Sequence, residues 1–293
     1  MRTILLTGAS GQVGWELQRS LSTLGRVVAP GHGEFDLARP ETLAKALRDI
    51  KPDLIVNPAA YTAVDKAESE QELAYAVNAE APRVLAREAA KRGISLVHFS
   101  TDYVFDGTQL TAYSETDATS PLGVYGASKL AGEEEVAASG AEHLILRTSW
   151  VYGMRGKNFL LTMQRLARER DKLSVVADQF GAPTWSRSIA DASAQMLALW
   201  LSPGASAEDR RRLSGIYHLS CGGRTSWHGF AEAILQDMQA RGEKIPALKA
   251  ITTAEYPTPA KRPANSVLSN EKLKQTFGIA MPAWDTALAL CLG

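Results

Sequence analysis

Cysteine is almost missing from this chain. The two thiols, Cys221 and Cys291, stand far apart and in no metal-ligand spacing. That excludes a disulfide-stapled scaffold or a zinc ribbon and points to inert thiols in a reducing, cytoplasmic setting. A surplus of either charge is missing too, since 32 Lys and Arg stand against 32 Asp and Glu. The balance removes the electrostatic case for nucleic acid or a membrane surface as partner. Long apolar runs are absent: the opening Met1–Thr7 stretch is too short for a signal peptide or a bilayer span. There is no internal repeat and no low-complexity tract. What is there is 293 residues of ordinary globular composition, enough for one large α/β domain with or without a smaller appendage.

Short apolar runs alternate with longer amphipathic ones. Thr3–Thr7, Arg26–Ala29, Asp53–Asn57, Ser95–Ser100 and His143–Thr148 read as buried parallel strands. Val13–Thr23, Pro40–Ile50, Gln71–Arg92 and Pro121–Ser139 read as the helices between them. Pro40 and Pro121 sit near helix starts, whereas Pro82 falls inside its segment and marks a kink or a second start. Beyond about residue 150 the pattern loosens into helices at Asn158–Arg170, Arg187–Trp200 and Ser226–Arg241, with short strands near Leu173–Ala177 and Gly215–Leu219. The run Glu208–Arg212 reads as a solvated loop or helix end. The expected fold is α/β: a Rossmann-type doubly wound parallel sheet over residues 1–150, to which parts of 185–220 return, and a smaller C-terminal α/β substrate domain over 151–293.

The loop Gly8-Ala-Ser-Gly11-Gln-Val-Gly14 follows a strand and opens a helix. Glycines there permit a tight turn and a close approach to a pyrophosphate, whose charge the helix N-terminus stabilises. Gly8, Gly11, Gln12 and Val13 are therefore candidate dinucleotide ligands. After the second strand an acid would take ribose hydroxyls and an Arg a 2′-phosphate. Ala29-Pro-Gly-His-Gly33 offers neither, so NADPH and NADH both stay open, with Asp36 and Leu37 placed to flank the adenine. Ala59, Ala60 and Tyr61, at the exit of the third strand, are small or flat enough to let ribose and nicotinamide pass the backbone.

Tyr125 and Lys129 are one helical turn apart on one face. An ammonium beside a phenol lowers the phenol's pKa and makes it a poised acid. Thr101, at the end of the fourth strand, can donate to a ketone oxygen and help to hold the charge developing there.

Together these residues resemble the extended short-chain dehydrogenase/reductase superfamily, and within it the dTDP-4-dehydrorhamnose reductase family. The likeness covers nearly the whole chain. It rests on Tyr61-Thr-Ala-Val-Asp-Lys-Ala-Glu68, Ser100-Thr-Asp-Tyr-Val-Phe105, Arg147-Thr-Ser-Trp-Val-Tyr152, Asp178-Gln-Phe-Gly-Ala-Pro-Thr184 and Arg262-Pro-Ala-Asn-Ser266. The resemblance implies hydride delivery from NADPH or NADH to C4 of dTDP-4-dehydro-L-rhamnose. It gives Tyr125 as proton donor, Lys129 on the nicotinamide ribose, and Thr101 as polarising hydroxyl. It also places Asp102 and Tyr103 at the sugar, Trp150 against the deoxysugar and Arg262 on the pyrophosphate. Members can be magnesium-dependent dimers. Glu16 is one available carboxylate, but no evident acidic partner set stands with it, so no essential metal is expected and a homodimer stays open. Three alternatives remain. A 4,6-dehydratase would need a carboxylate where Tyr103 stands; the others are a reductase of another keto-sugar nucleotide and a non-catalytic regulatory subunit of the same fold.

Overall fold

A computed structural model describes residues 1–202 and 204–293. Its centre is a six-stranded, wholly parallel sheet. In chain order the first five strands are β1 (Thr3–Leu6), β2 (Arg26–Val28), β3 (Leu54–Asn57), β4 (Ser95–Thr101) and β5 (His143–Thr148). Gly215–His218 adds the sixth, beside β5, giving the order Gly215–His218, β5, β4, β3, β1, β2. The connections reverse direction between β1 and β3, and ligands bind at such a reversal, outside the strands' carboxyl ends.

Six helices of the first half are α1 (Gln12–Ser20), α2 (Pro40–Ile50), α3 (Val64–Ala67), α4 (Gln71–Tyr75), α5 (Ala81–Arg92) and α6 (Val124–Ala138). Buried side chains of α2, α5 and α6 cover one face of the sheet. The other face is covered by Leu17 and Leu21 together with Ile189, Met196 and Trp200 of the helix Ser186–Trp200. A third core lies away from the sheet. It joins Leu160 and Met163 to Phe230, Ile234 and Leu288, beside a parallel strand pair, Lys172–Val176 with Ala247–Ile251. No helix among the described residues is long and apolar enough to cross a membrane.

Three local expectations are corrected. The segment expected over Gln71–Arg92 does have a second start at Pro82, in the first turn of α5, but it is interrupted earlier, where α4 gives way to a π-helical turn, Ala76–Glu80. Proline is accommodated there because the π-helical turn before it already interrupts the regular i−4 hydrogen bonds. α6 starts at Val124, three residues after Pro121, because Gly123 is extended and the Glu68 carboxylate caps the Val124 N–H from outside the helix at 2.9 Å. The Glu208–Arg212 run is neither loop nor helix end but the body of an exposed helix, Ala207–Leu213, started by a capping box of Ser206 and Asp209.

α6 is fastened to β5 by a buried ion pair. Arg147 Nε and Nη2 donate to the Glu133 carboxylate at 2.6–3.1 Å, with both side chains at most 3% exposed. Removing one partner of such a pair strands a charge, whereas replacing both by apolar groups need not. Arg147→Met should lower unfolding stability by about 3–5 kcal/mol, and adding Glu133→Leu should recover most of that. Urea denaturation of the two variants checks it, and an equal or greater loss in the double variant would refute it.

Candidate functional site

The first cavity sits at the reversal between β1 and β3. Gly8 has φ +57°, and a β-carbon on it would meet Ala59 at 2.9 Å. A β-carbon on Gly14 would come within 2.1 Å of the Gly8 carbonyl. Both glycines are therefore required by the close packing of turn, helix and neighbouring strand. Gly11 begins α1 with no side chain capping its first N–H groups, the arrangement that favours an anion. The cavity, about 670 Å³, is lined by Gly8, Leu37, Ala59, Ala60 and Tyr61 of the expected set. These features fit a dinucleotide.

Asp36 is placed differently from its expectation. Its Oδ1 accepts from the Ala38 N–H at 2.9 Å and lies 3.5 Å from His32, so the carboxylate shapes its own loop. Gln12 does not line the cavity; its Oε1 accepts from Asn158 at 2.9 Å. Val13 packs against the sheet core. Sequence reading missed Trp15, His32 and Arg155, which also line the cavity, the last with its guanidinium 5.2 Å from the Trp15 ring centre. Only a contact across the chain puts Arg155 there.

Beyond the end of β4 the expected reaction residues lie together. Tyr125 is half-buried beside the Thr101 hydroxyl; desolvation pushes its phenol up, and the hydroxyl partly offsets that. Tyr103 meets the Tyr125 ring edge-on at 5.4 Å. Lys129 is the departure. Its Nζ donates to the Phe99 carbonyl at 2.6 Å and lies 3.3 Å from His98 Nε2, buried to 1% exposure. Burial lowers it to about 8, against the pull of Glu133. In this arrangement the lysine is turned into the sheet and does not lower the Tyr125 phenol.

Asp102 also departs from its expected sugar contact. It is 2% exposed, and its two oxygens accept from Thr101 Oγ1 at 2.9 Å and Ser149 Oγ at 3.1 Å. Burial raises it to about 6, against hydrogen bonds from Ser266, Thr101 and Ser149. Asp102 thus supports Thr101 from behind, and the Thr101 proton must turn away from it to reach a ketone.

A second cavity, about 860 Å³, is lined by Tyr103 and Arg262 of the expected residues, with Val64, Asp65, Phe159 and Trp227. Arg262 Nη2 donates to Asp65 at 2.8 Å, while its buried Nη1 has no partner. The guanidinium therefore has an ion-pair role and a donor to spare. Trp150 holds φ +47° and stacks on Trp227, ring centres 3.6 Å apart. One of its faces is taken by another indole, which the sequence did not suggest. Among the described residues no three His, Cys, Asp or Glu side chains are placed to hold a metal.

Known proteins match this geometry along its whole length. The family model described as "RmlD substrate binding domain" matches residues 1–293. This chain belongs to that family. A dTDP-4-dehydrorhamnose reductase of Burkholderia thailandensis is 55% identical over 293 residues, covering 99% of this chain and 97% of the relative. The crystal structure of a dTDP-4-dehydrorhamnose reductase from Clostridium acetobutylicum superposes with a TM-score of 0.89 at 36% identity, covering 99% of this chain and 98% of that one. One from Bacillus anthracis, in complex with NADP, gives 0.88 at 34%, with the same coverage. The doubly wound α/β fold is thereby established.

Asp102 gives the site a pH signature. A carboxyl that titrates at about 6 when folded, against about 3.9 unfolded, holds more protons in the folded chain between those values. Stability should therefore fall as pH rises from about 4 to 6, by up to about 3 kcal/mol. Asp102→Asn should lack this component. Urea midpoints of both proteins at pH 4 and 7 check it, and parallel pH dependences would refute it.

Proposed function

We propose that this protein reduces the C4 ketone of dTDP-4-dehydro-β-L-rhamnose to give dTDP-β-L-rhamnose, the last step in making that sugar nucleotide. The observation that carries the reading is Tyr125 beside Thr101, its ring against Tyr103, which lines the second cavity. The family membership and the names of its full-length relatives support it. In this reading residues 1–150, with parts of 185–220, hold the cofactor, and most of 151–293 holds the sugar nucleotide.

A bound nicotinamide cofactor supplies the hydride to C4. As the carbonyl π electrons collect on O4, Tyr125 gives that oxygen its proton, and the Thr101 hydroxyl turns toward it. Lys129, moved from the Phe99 carbonyl to the cofactor ribose, would bring its ammonium to the phenol and lower it. Arg262 Nη1 would take the substrate pyrophosphate, for which a guanidinium fork is well shaped. Tyr103 and the Trp150–Trp227 stack would pack against the sugar.

The cofactor reading favours NADPH. Glu34 Oε2 accepts from the Gly31 N–H at 3.1 Å and Asp36 Oδ1 from Ala38, so each nearby carboxylate has one oxygen engaged in its own loop. His32 and Arg155 line the same cavity and would favour a phosphate. No step needs magnesium: Glu16, the candidate carboxylate on α1, lies 3.6 Å from the Arg187 guanidinium. Freely diffusing sugar nucleotides suit a cytoplasmic enzyme, as monomer or homodimer.

Loss of NADPH absorbance, with dTDP-4-dehydrorhamnose as substrate and dTDP-rhamnose identified as product, tests the reading. NADPH should be used faster than NADH. Tyr125→Phe should lose about 10²–10⁴ in kcat while binding NADPH normally, and Lys129→Met should weaken both. Near-normal turnover of the Tyr125 variant at saturating substrate would sink the proposed proton donor. Folded protein that binds cofactor but consumes none would move the search to other keto-sugar nucleotides, then to a non-catalytic subunit.

A further inference from the structure

Beneath the reaction site, a line of fully buried polar groups runs across the sheet from the cofactor turn to Lys129. Thr7, the residue before Gly8, accepts from the Ala59 N–H at 3.3 Å and donates to Asn57 Oδ1 at 2.6 Å. That distance is typical of O–H···O and short for N–H···O, which fixes the Asn57 amide. Its NH₂ then faces His98 Nδ1 at 3.1 Å. An amide NH₂ can only donate, so Nδ1 must carry the lone pair. His98 has no exposed surface, and burial holds it neutral. Its one ring proton is consequently on Nε2, which faces Lys129 Nζ at 3.3 Å.

An N–H aimed at an ammonium would set two donors against each other. A neutral amine resolves this: it accepts from His98 Nε2–H and donates to the Phe99 carbonyl. We infer that His98 is a positioning residue for Lys129, its Nε2–H holding the amine neutral and retracted, and that Thr7 and Asn57 set the His98 tautomer from the cofactor turn. The protonated lysine is expelled from this place toward Tyr125, one turn along α6. The other charges around the amine fit this. Glu133, on the same helix, draws Lys129 toward its charged form, but Arg147 from β5 already occupies that carboxylate. Burial lowers Lys129 to about 8, so the neutral amine becomes accessible only a little above neutral pH.

The inference rests on the proposed reaction only for its use of Lys129; the proton arrangement itself is measured without turnover. In the full-length apoprotein, imidazole ¹⁵N shifts from long-range proton correlations assign the His98 tautomer. Nε2–H with bare Nδ1 is expected, and Nδ1–H would overturn the inference even if no variant folds. The ¹³Cε resonance of Lys129, assigned with Lys129→Met, then gives its titration. His98→Phe, which removes the donor, should raise the lysine pKa by about one unit, a tenfold change in the protonation constant. His98→Gln, whose amide N–H can replace the ring N–H, should stay near wild type. A pKa lowered by His98→Phe would mean that His98 accepts from an ammonium, and an unchanged one that it only packs; either refutes the proposal. A turnover defect in Lys129→Met is independent of all these outcomes.

Discussion

An amine sealed beneath β4 is the constraint on which the rest of the site depends. Taking Lys129 out of water is costly unless its N–H groups are satisfied, and its partners, the Phe99 carbonyl and His98, belong to that strand. α6 must therefore lie close to the sheet and to the loops around it. Two glycines allow this. A β-carbon on Gly126 would come within 2.2 Å of the Tyr103 carbonyl, and one on Gly132 within 2.0 Å of the Asn78 carbonyl. The glycine inside the Tyr125–Lys129 turn is thus as much part of the site as the two side chains it separates.

The contact at Gly132 also gives the π-helical turn a purpose. Asn78, buried within that turn, accepts from the Tyr61 N–H, donates to the Tyr61 carbonyl, and donates to Ser128. One amide so ties the cofactor-side loop to the helix that carries Tyr125 and Lys129. A regular helix across Gln71–Arg92 would place residue 78 at a different angle. The widened turn, with Pro82 starting the next helix, is compatible with that tie.

What was legible in the sequence follows from which forces are local. Buried parallel strands are apolar on both faces, so β1, β3, β4 and β5 stand out as continuous runs to within a residue or two. The glycine cradle and the spacing of Tyr125 and Lys129 are local as well. The direction of a side chain is not. Helical spacing puts Lys129 on the Tyr125 face, but the free acceptor at Phe99 turns its amine into the sheet. Asp102 looks like a ligand beside Thr101 until Ser149, from the end of β5, closes on it. Trp227, Arg155 and Asp65 entered the site only through contacts between distant segments. Trp150 was legible as a residue but not as a conformation: its left-handed backbone is rare for a bulky side chain, and it fits here where Gly181 makes room for the indole.

The stretch Ala59–Asp65 explains why a string with little obvious chemistry is so specific. Ala59, Ala60 and Tyr61 line the cofactor cavity, while Val64 and Asp65 line the other. Seven residues of chain thus pass from one ligand's space to the other's. Their ends are not free: Ala59 abuts Gly8, Tyr61 is held by Asn78, and Asp65 accepts from Ala260 and Arg262. Hydride transfer demands that two ligands meet within a few tenths of an ångström of the productive geometry. A segment pinned to the glycine turn, to α6 through Asn78 and Ser128, and to the loop that carries Arg262 makes their separation a property of the fold. Arg262 holds that segment through Nη2 while its Nη1 has no partner, so loss of its side chain would release the segment from the second cavity.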